Sequence, residues 1–150
     1  MAIIILESVI NAPLKSCFNL SRSIDLHVKS MEESNEKAIA GTTTGLIKLG
    51  ETVTWKAKHL GLFFTMTSKI SSMETPYFFV DEMIKGPFKK LHHQHRFKHE
   101  NGKTIMTDIF EFKSPCGFFG KIIDRIFLKK YLMKLLVERN RIIKREAEYN

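Results

Sequence analysis

Residues 121–148 contain no glycine or proline, and their spacing predicts one long C-terminal helix. Basic residues occupy much of one face of this helix. The opposite face is a wide apolar stripe made of Ile122, Ile123, Ile126, Phe127, Leu132, Met133, Leu135, Leu136, Ile142 and Ile143. A helix of this length is about 40 Å long. It needs a large apolar surface to lie on, and only the strand-rich middle of the chain can supply one.

The middle of the chain has the two-residue period of β-strands. Six runs show it, with short connections between them: residues 36–42, 51–58, 62–70, 77–84, 89–99 and 103–113. Short connections between successive strands predict an antiparallel meander.

The residues before the meander predict one more strand and two short helices. Residues 2–10 are rich in β-branched side chains and predict a strand that ends before Pro13. A short helix beginning at Pro13 follows, and then a second at residues 24–31, with Ser21 as its expected cap. The chain is therefore predicted to be one α+β domain over residues 1–150, with about seven strands in a curved sheet under a long helix. The concave part of the sheet that the helix does not cover is either filled by side chains or left open as a pocket.

Composition narrows the possible compartment and partners. The chain carries a formal net charge of +8, which permits anionic partners but selects none of them. Its two cysteines provide neither a disulfide framework nor a zinc site, so we expect a reducing, cytoplasmic location. No apolar run reaches the roughly 20 residues needed to span a bilayer, so we expect no transmembrane segment.

Asn101-Gly102 is the strongest turn signal in the chain and predicts a two-residue hairpin loop. Glu100 then faces Lys103, and the pairing follows residue by residue. One face of the hairpin is the more apolar and should lie under the helix; it carries Leu91, His93, His95, Phe97, Met106, Asp108, Phe110 and Phe112. In this register His95 lies directly opposite Asp108.

A buried, unpaired Asp108 would cost several kcal/mol, so we predict that it pairs with His95. One interpretation is a satisfied polar pair that only fixes the strand register. The other is a pair that lines a cavity and orients a ligand, or that acts as a general base, because a carboxylate raises the proton affinity of a neighbouring imidazole. His93, His95 and Asp108 also have the ligand types of a two-His-one-carboxylate metal site, but we expect no metal there.

Several other positions remain open at this level. Trp55 should face inward. Phe64 and Met66 share its side of the sheet if the turn after Lys58 pairs residues whose numbers add up to an odd total. Asp81 faces the cavity in one register of the 77–84 strand and solvent in the other. We expect His27 to face solvent near the cavity mouth and His59 to lie in a tight turn.

Seven stretches along the chain have a familiar sequence pattern: VINAPLKSCFNL (9–20), IDLH (24–27), GETVTW (50–55), DEMIKGPF (81–88), HHQHRF (92–97), KTIMTD (103–108) and SPCGFFG (114–120). In these stretches and in the order of its elements, the chain resembles the SRPBCC superfamily of helix-grip proteins, which includes START domains, polyketide cyclases and the birch pollen allergen. The resemblance covers the whole chain and looks most like a bacterial subgroup without a settled activity. It implies a seven-stranded sheet gripping a C-terminal helix around a hydrophobic cavity, and it implies no common reaction.

These observations favour a module that binds a hydrophobic or amphipathic small molecule or lipid in the cavity, without a cofactor. The expected binding residues are Trp55, Phe64, Met66, His93, His95, Phe97, Met106, Asp108, Phe110, Phe112 and Met133. The alternative is a cyclase- or hydrolase-like enzyme that uses His95 and Asp108. A third, less favoured hypothesis is binding to an anionic surface, either membrane or nucleic acid. No RNA-stacking motif is present, so nucleic acid is not an expected partner. The oligomeric state stays open.

Overall fold

All seven strands lie in one antiparallel sheet. The computed structural model describes residues 1–149, and the order across the sheet is β1-β7-β6-β5-β4-β3-β2. The strands are β1 (Ala2–Ile10), β2 (Lys37–Gly41), β3 (Thr52–His59), β4 (Leu62–Glu74), β5 (Phe78–Lys85), β6 (Lys90–Glu100) and β7 (Lys103–Lys113). β2 to β7 follow the chain as a meander, and β1 joins at the β7 edge. The predicted α+β class and strand number are confirmed.

The register of the β6–β7 hairpin is the predicted one along its whole length, from Lys90–Lys113 to Glu100–Lys103. Asn101 and Gly102 have φ angles of 52° and 75°, as a two-residue hairpin turn requires. In the β3–β4 hairpin, Trp55 pairs with Met66, so the numbers of paired residues add up to an odd total. This register places Phe64 and Met66 on the same side as Trp55, as anticipated.

Two short helices, α1 (Leu14–Ser21) and α2 (Ile24–Ser30), connect β1 to the meander and are followed by a 3₁₀ turn at Glu32–Ser34. The predicted cap of α2 was wrong. Ser23, not Ser21, caps it, because the Ser23 hydroxyl accepts a hydrogen bond from the Leu26 N–H at 3.2 Å. The Ser21 hydroxyl instead donates to the Cys17 carbonyl within α1.

The C-terminal helix starts earlier than predicted. It consists of α3 (Gly117–Ile123), a π-helical turn (Asp124–Leu128) and α4 (Lys129–Tyr149). Asp124 is buried and accepts hydrogen bonds from the N–H and the hydroxyl of Ser114, which anchors the π-helical turn to the residue after β7. Within residues 1–149, no helix combines the length and the apolar character needed to cross a bilayer.

The side chains under the C-terminal helix form two separate apolar clusters. The first lies beneath α1, α2 and the end of α4 and includes Phe18, Trp55, Phe79, Phe97, Met106 and Ile143. The second lies beneath the middle of the C-terminal helix, near β1 and β7, and includes Ile4, Leu91, Phe110, Phe112 and Leu136.

Candidate ligand-binding cavity

A cavity of about 340 Å³ lies between the concave face of the sheet and the C-terminal helix. This volume falls at the lower end of the range for small-molecule sites. Most of its lining is apolar and comes from both core clusters: Val53, Trp55, Phe64, Met66, Ile70, Phe79, Phe88, Leu91 and Phe110 from the sheet side, and Leu128, Leu132, Leu135 and Leu136 from the helix.

Six of the predicted binding residues line this cavity: Trp55, Phe64, Met66, His93, His95 and Phe110. The other five do not. Asp108, Phe97, Met106 and Phe112 are buried behind the lining, and Met133 is partly buried against the second cluster. Strand alternation assigned the four of these side chains that lie on β6 and β7 to the correct face of the sheet. It could not show which part of that face is covered, and α1 covers Phe97 through an edge-on contact from Phe18.

Asp108 is fully buried at the centre of a polar network. His95 is its strand partner, as predicted, and the His95 Nδ1 lies 3.3 Å from the Asp108 Oδ1. The shortest contact to that oxygen comes from His93 Nε2, at 2.7 Å along the diagonal of the ladder. The second carboxylate oxygen accepts from Asn140 Nδ2 at 2.6 Å. Arg139 Nη1 completes the network, 3.5 Å from the Asp108 Oδ1.

The network affects the charge of Asp108 and His95. Burial alone raises the pKa of Asp108, but the hydrogen bonds from His93 and His95 and the charge of Arg139 outweigh it, so this pKa lies well below its ordinary value. Burial, together with the charges of His93 and Arg139, holds the pKa of His95 well below its ordinary value. Asp108 does raise the proton affinity of His95, as expected, but burial and the charges of His93 and Arg139 outweigh this effect. Asp108 is ionised and His95 is neutral near pH 7.

Arg139 and Asn140 are the residues of this network that the sequence analysis missed. Both are buried, and both lie on α4. The signal was present, because they follow Leu136 at a spacing of three and four residues and precede Ile143 by four and three. They therefore fall within the apolar stripe, where a buried arginine requires a buried carboxylate.

Asp81 faces the cavity. β5 pairs with β6 so that Phe79 lies opposite His95 and Asp81 opposite His93, which decides the question left open by the sequence. Asp81 lines the cavity, and its Oδ1 atom is buried without a hydrogen-bond partner in the described part of the chain. We call Asp81, His93, His95 and Arg139 the polar patch of the cavity wall.

Two further histidines line the cavity. His27 was expected to face solvent, but its Nε2 lies 2.6 Å from Glu36 Oε1 and its ring lies over Trp55 with centroids 4.3 Å apart. His59 ends β3 just before the turn, and its Nδ1 lies 2.7 Å from the hydroxyl of Tyr131. Burial lowers the pKa of His59.

His93, His95 and Asp108 each offer a metal-ligating atom, and these atoms lie within 4.8 Å of one another. The donor types suit zinc or a similar ion. The charge does not favour such an ion, because the Arg139 guanidinium already lies beside the same carboxylate oxygen. A divalent ion there would be held next to a buried positive charge. The expectation of no metal therefore stays a prediction.

Comparisons with known proteins show the same fold. No family model matches the sequence, and no curated protein matches it. A protein from Thermus thermophilus superposes with a TM-score of 0.78 at 13% identity, over 97% of each chain. A START superfamily protein from Mycobacterium smegmatis superposes with a TM-score of 0.72 at 9% identity, over 97% of this chain and 96% of that one. Ginseng major latex-like protein 151 from Panax ginseng gives 0.69 at 14% identity, over 97% of each. The chain therefore shares the helix-grip fold of these structures, which is the fold that the sequence resemblance implied.

Proposed function

We propose that this protein binds one hydrophobic or amphipathic small molecule, such as a lipid, in the cavity between the sheet and the C-terminal helix. The observation that carries the proposal is the cavity itself, about 340 Å³ with a mostly apolar wall and a few polar groups, among them the polar patch. Pockets of this kind bury most of a ligand's surface in apolar contact and orient the ligand through a few polar groups. Met66 adds a flexible side chain that adapts to loosely specified apolar shapes.

The enzymatic alternative has weaker support. A general base needs an accessible nitrogen whose pKa lies near the working pH. His95 lines the cavity, but its pKa is held well below the ordinary value. Asp108 is fully buried and uses both carboxylate oxygens within the network. A cyclase- or hydrolase-like reaction at His95 and Asp108 stays a prediction without a specific observation in its favour.

The binding proposal can be tested by filling the cavity. Ala57 lies in its wall opposite Phe64, and Ala40 lies exposed on β2. The probe is 1-aminoanthracene, a neutral aromatic molecule whose fluorescence rises in apolar sites. Trp55 is the only tryptophan and lies in the cavity wall, so its quenching reports binding at this place.

We expect Ala57→Phe to weaken probe binding by about tenfold or more, since the added ring occupies the space of the ligand. Ala40→Phe should bind as the wild type does. Thermal unfolding of both variants shows whether they are folded. Failure of the wild type to bind the probe, with no small molecule recovered by solvent extraction of the purified protein, would contradict the proposal. Unchanged binding in a folded Ala57→Phe variant would contradict it as well.

A further inference from the structure

We infer that the ligand of this cavity carries a hydrogen-bond-donating head group, an amine or a hydroxyl, that binds Asp81. The inference rests on the proposed function. Asp81 Oδ1 is buried in the cavity wall and has no partner within residues 1–149. Leaving a buried acceptor unpaired costs about 1–3 kcal/mol, and more for a charged group. A ligand donor at this oxygen would recover that free energy.

The charges around the cavity also favour a donor over an anion. Among the described residues, the lining contains two guanidinium groups, Arg22 and Arg139, and two carboxylates, Asp81 and Glu36. Asp108, which lies directly behind the wall, is a third carboxylate. These three carboxylates and two guanidinium groups together carry one negative charge, and an anionic head group would add a second.

Both arginines of the lining already donate hydrogen bonds within the protein. Arg139 donates to Asn140 Oδ1 and to the Ser21 carbonyl and lies beside Asp108. Arg22 donates to Asn19 Oδ1 and to the Ile47 carbonyl. Among the described lining residues, Asp81 Oδ1 is the buried side-chain atom without a hydrogen-bond partner, and a carboxylate oxygen can only accept.

Three amphiphiles with one chain and different head groups test this inference: decylamine, decanol and decanoate. Each is titrated against bound 1-aminoanthracene at mildly alkaline pH, where imidazoles with ordinary pKa values are neutral. We expect the wild type to bind decylamine about tenfold or more tightly than decanoate, with decanol between them. Asp81→Asn should lose the preference of amine over carboxylate, because the charge is removed while the shape is kept. Glu82→Gln, which alters the neighbouring acid on the other face of β5, should keep it.

The outcomes separate the two claims. If none of the three amphiphiles displaces the probe and no other apolar molecule binds, the proposed function fails. If all three bind equally to the wild type, or if decanoate binds best, the cavity binds apolar chains but the head-group inference is overturned. The wild-type ranking needs no variant, so the inference can be refuted even if Asp81→Asn does not fold.

A separate observation concerns the exposed start of the C-terminal helix. Phe118 and Phe119 are each 73% exposed and Ile126 is 67% exposed. Ile122, Ile123 and Phe127 are also between 41% and 50% exposed. Scattered exposed apolar residues are normal, but six large ones within ten residues form a contiguous patch of the kind that marks an interaction site.

The charge around this patch is of one sign. Residues 117–137 contain five basic side chains, Lys121, Arg125, Lys129, Lys130 and Lys134. The only acid among them, Asp124, is buried against Ser114. A second copy docked on the same patch would bring like charges together. An anionic bilayer can take up the apolar side chains and also attract the surrounding basic side chains. We therefore propose that this helix segment docks on anionic membranes.

Co-sedimentation with lipid vesicles tests the docking proposal. The wild type should bind vesicles of phosphatidylcholine mixed with phosphatidylglycerol, bind pure phosphatidylcholine more weakly, and be released by salt. The double variant Phe118→Ser/Phe119→Ser should lose about tenfold or more of this binding. Ile3→Ser/Ile5→Ser is the matched control, because it removes exposed apolar side chains on the outer face of β1, outside the basic segment. Equal vesicle binding by the two double variants would overturn the proposal. So would a dimer in analytical ultracentrifugation that the Phe118→Ser/Phe119→Ser variant dissociates, because the patch would then be an interface between copies.

Discussion

Replacing Asp108 with asparagine tests whether the buried network is held together by the charge of this residue. The carboxylate accepts from His93 at 2.7 Å and from Asn140 at 2.6 Å, and it lies 3.5 Å from Arg139. The amide keeps the shape but leaves the buried guanidinium without its nearest counter-charge. Breaking one side of a buried pair costs about 3–5 kcal/mol. For a chain of this size the loss corresponds to about 6–20 °C in Tm.

Urea unfolding, followed by circular dichroism, measures the free energy of unfolding in four proteins: the wild type, Asp108→Asn, Arg139→Met and the double variant. The double variant should be less destabilised than the sum of the single variants by about 1–3 kcal/mol, because it removes both charges together. Glu138→Gln is the control, since it breaks an exposed pair with Arg141 and should cost at most about 1 kcal/mol. A loss below about 1 kcal/mol in Asp108→Asn, or strict additivity of the single variants, would refute this account of the network.

Three further predictions follow from burial and backbone geometry. Because burial holds the pKa of His95 well below 6.5, the unfolded chain binds this proton more readily than the folded chain does. The contribution of neutral His95 to the free energy of unfolding is therefore fully present above about pH 6.5 and declines as the pH falls below that value. Urea unfolding at a series of pH values should show a less steep decline for His95→Gln. Gly41 and Gly102 both have positive φ, but a Cβ on Gly41 would collide with the backbone carbonyl oxygen of Thr52, while one on Gly102 would meet nothing within 4 Å. Calorimetry should therefore show a larger loss of Tm for Gly41→Ala than for Gly102→Ala. Cys116 is exposed whereas Cys17 is buried with a raised pKa, so a thiol reagent should modify one cysteine in the native wild type and none in native Cys116→Ser.

The fold could be predicted where local signals agree with one another. The Asn101-Gly102 turn determined the register of β6 and β7, since a two-residue loop leaves one pairing. The facing of Asp81 could not be predicted in the same way, because Pro87 leaves the turn type between β5 and β6 open. β5 is also displaced by register irregularities against β4, near Ser68 and near Ser72, which no local pattern indicates.

The site was predicted only in part, because periodicity shows which face a side chain shares and not how deep it lies. Trp55 and His93 line the cavity, whereas Met106 lies on the same face and is completely buried behind it. Arg139 was missed because its residue type is typical of an exposed position, although the side chain is buried. A basic residue in an amphipathic helix is normally solvated, and its burial becomes understandable only when the carboxylate of Asp108 is found across the interface.

The cavity and the polar network have a common structural cause. A straight helix cannot contact all of a curved sheet, so the apolar packing divides into one cluster around Phe18 and another around Phe112, and the cavity wall includes members of both. The network connects α4 to the sheet through Asn140 and Asp108, which fixes the position of the helix by directional hydrogen bonds. Purely apolar contacts would tolerate a shift of the helix toward the sheet, because hydrophobic attraction has no preferred direction. The buried network of Asp108 and Asn140 therefore helps to keep open the space in which the ligand is proposed to bind.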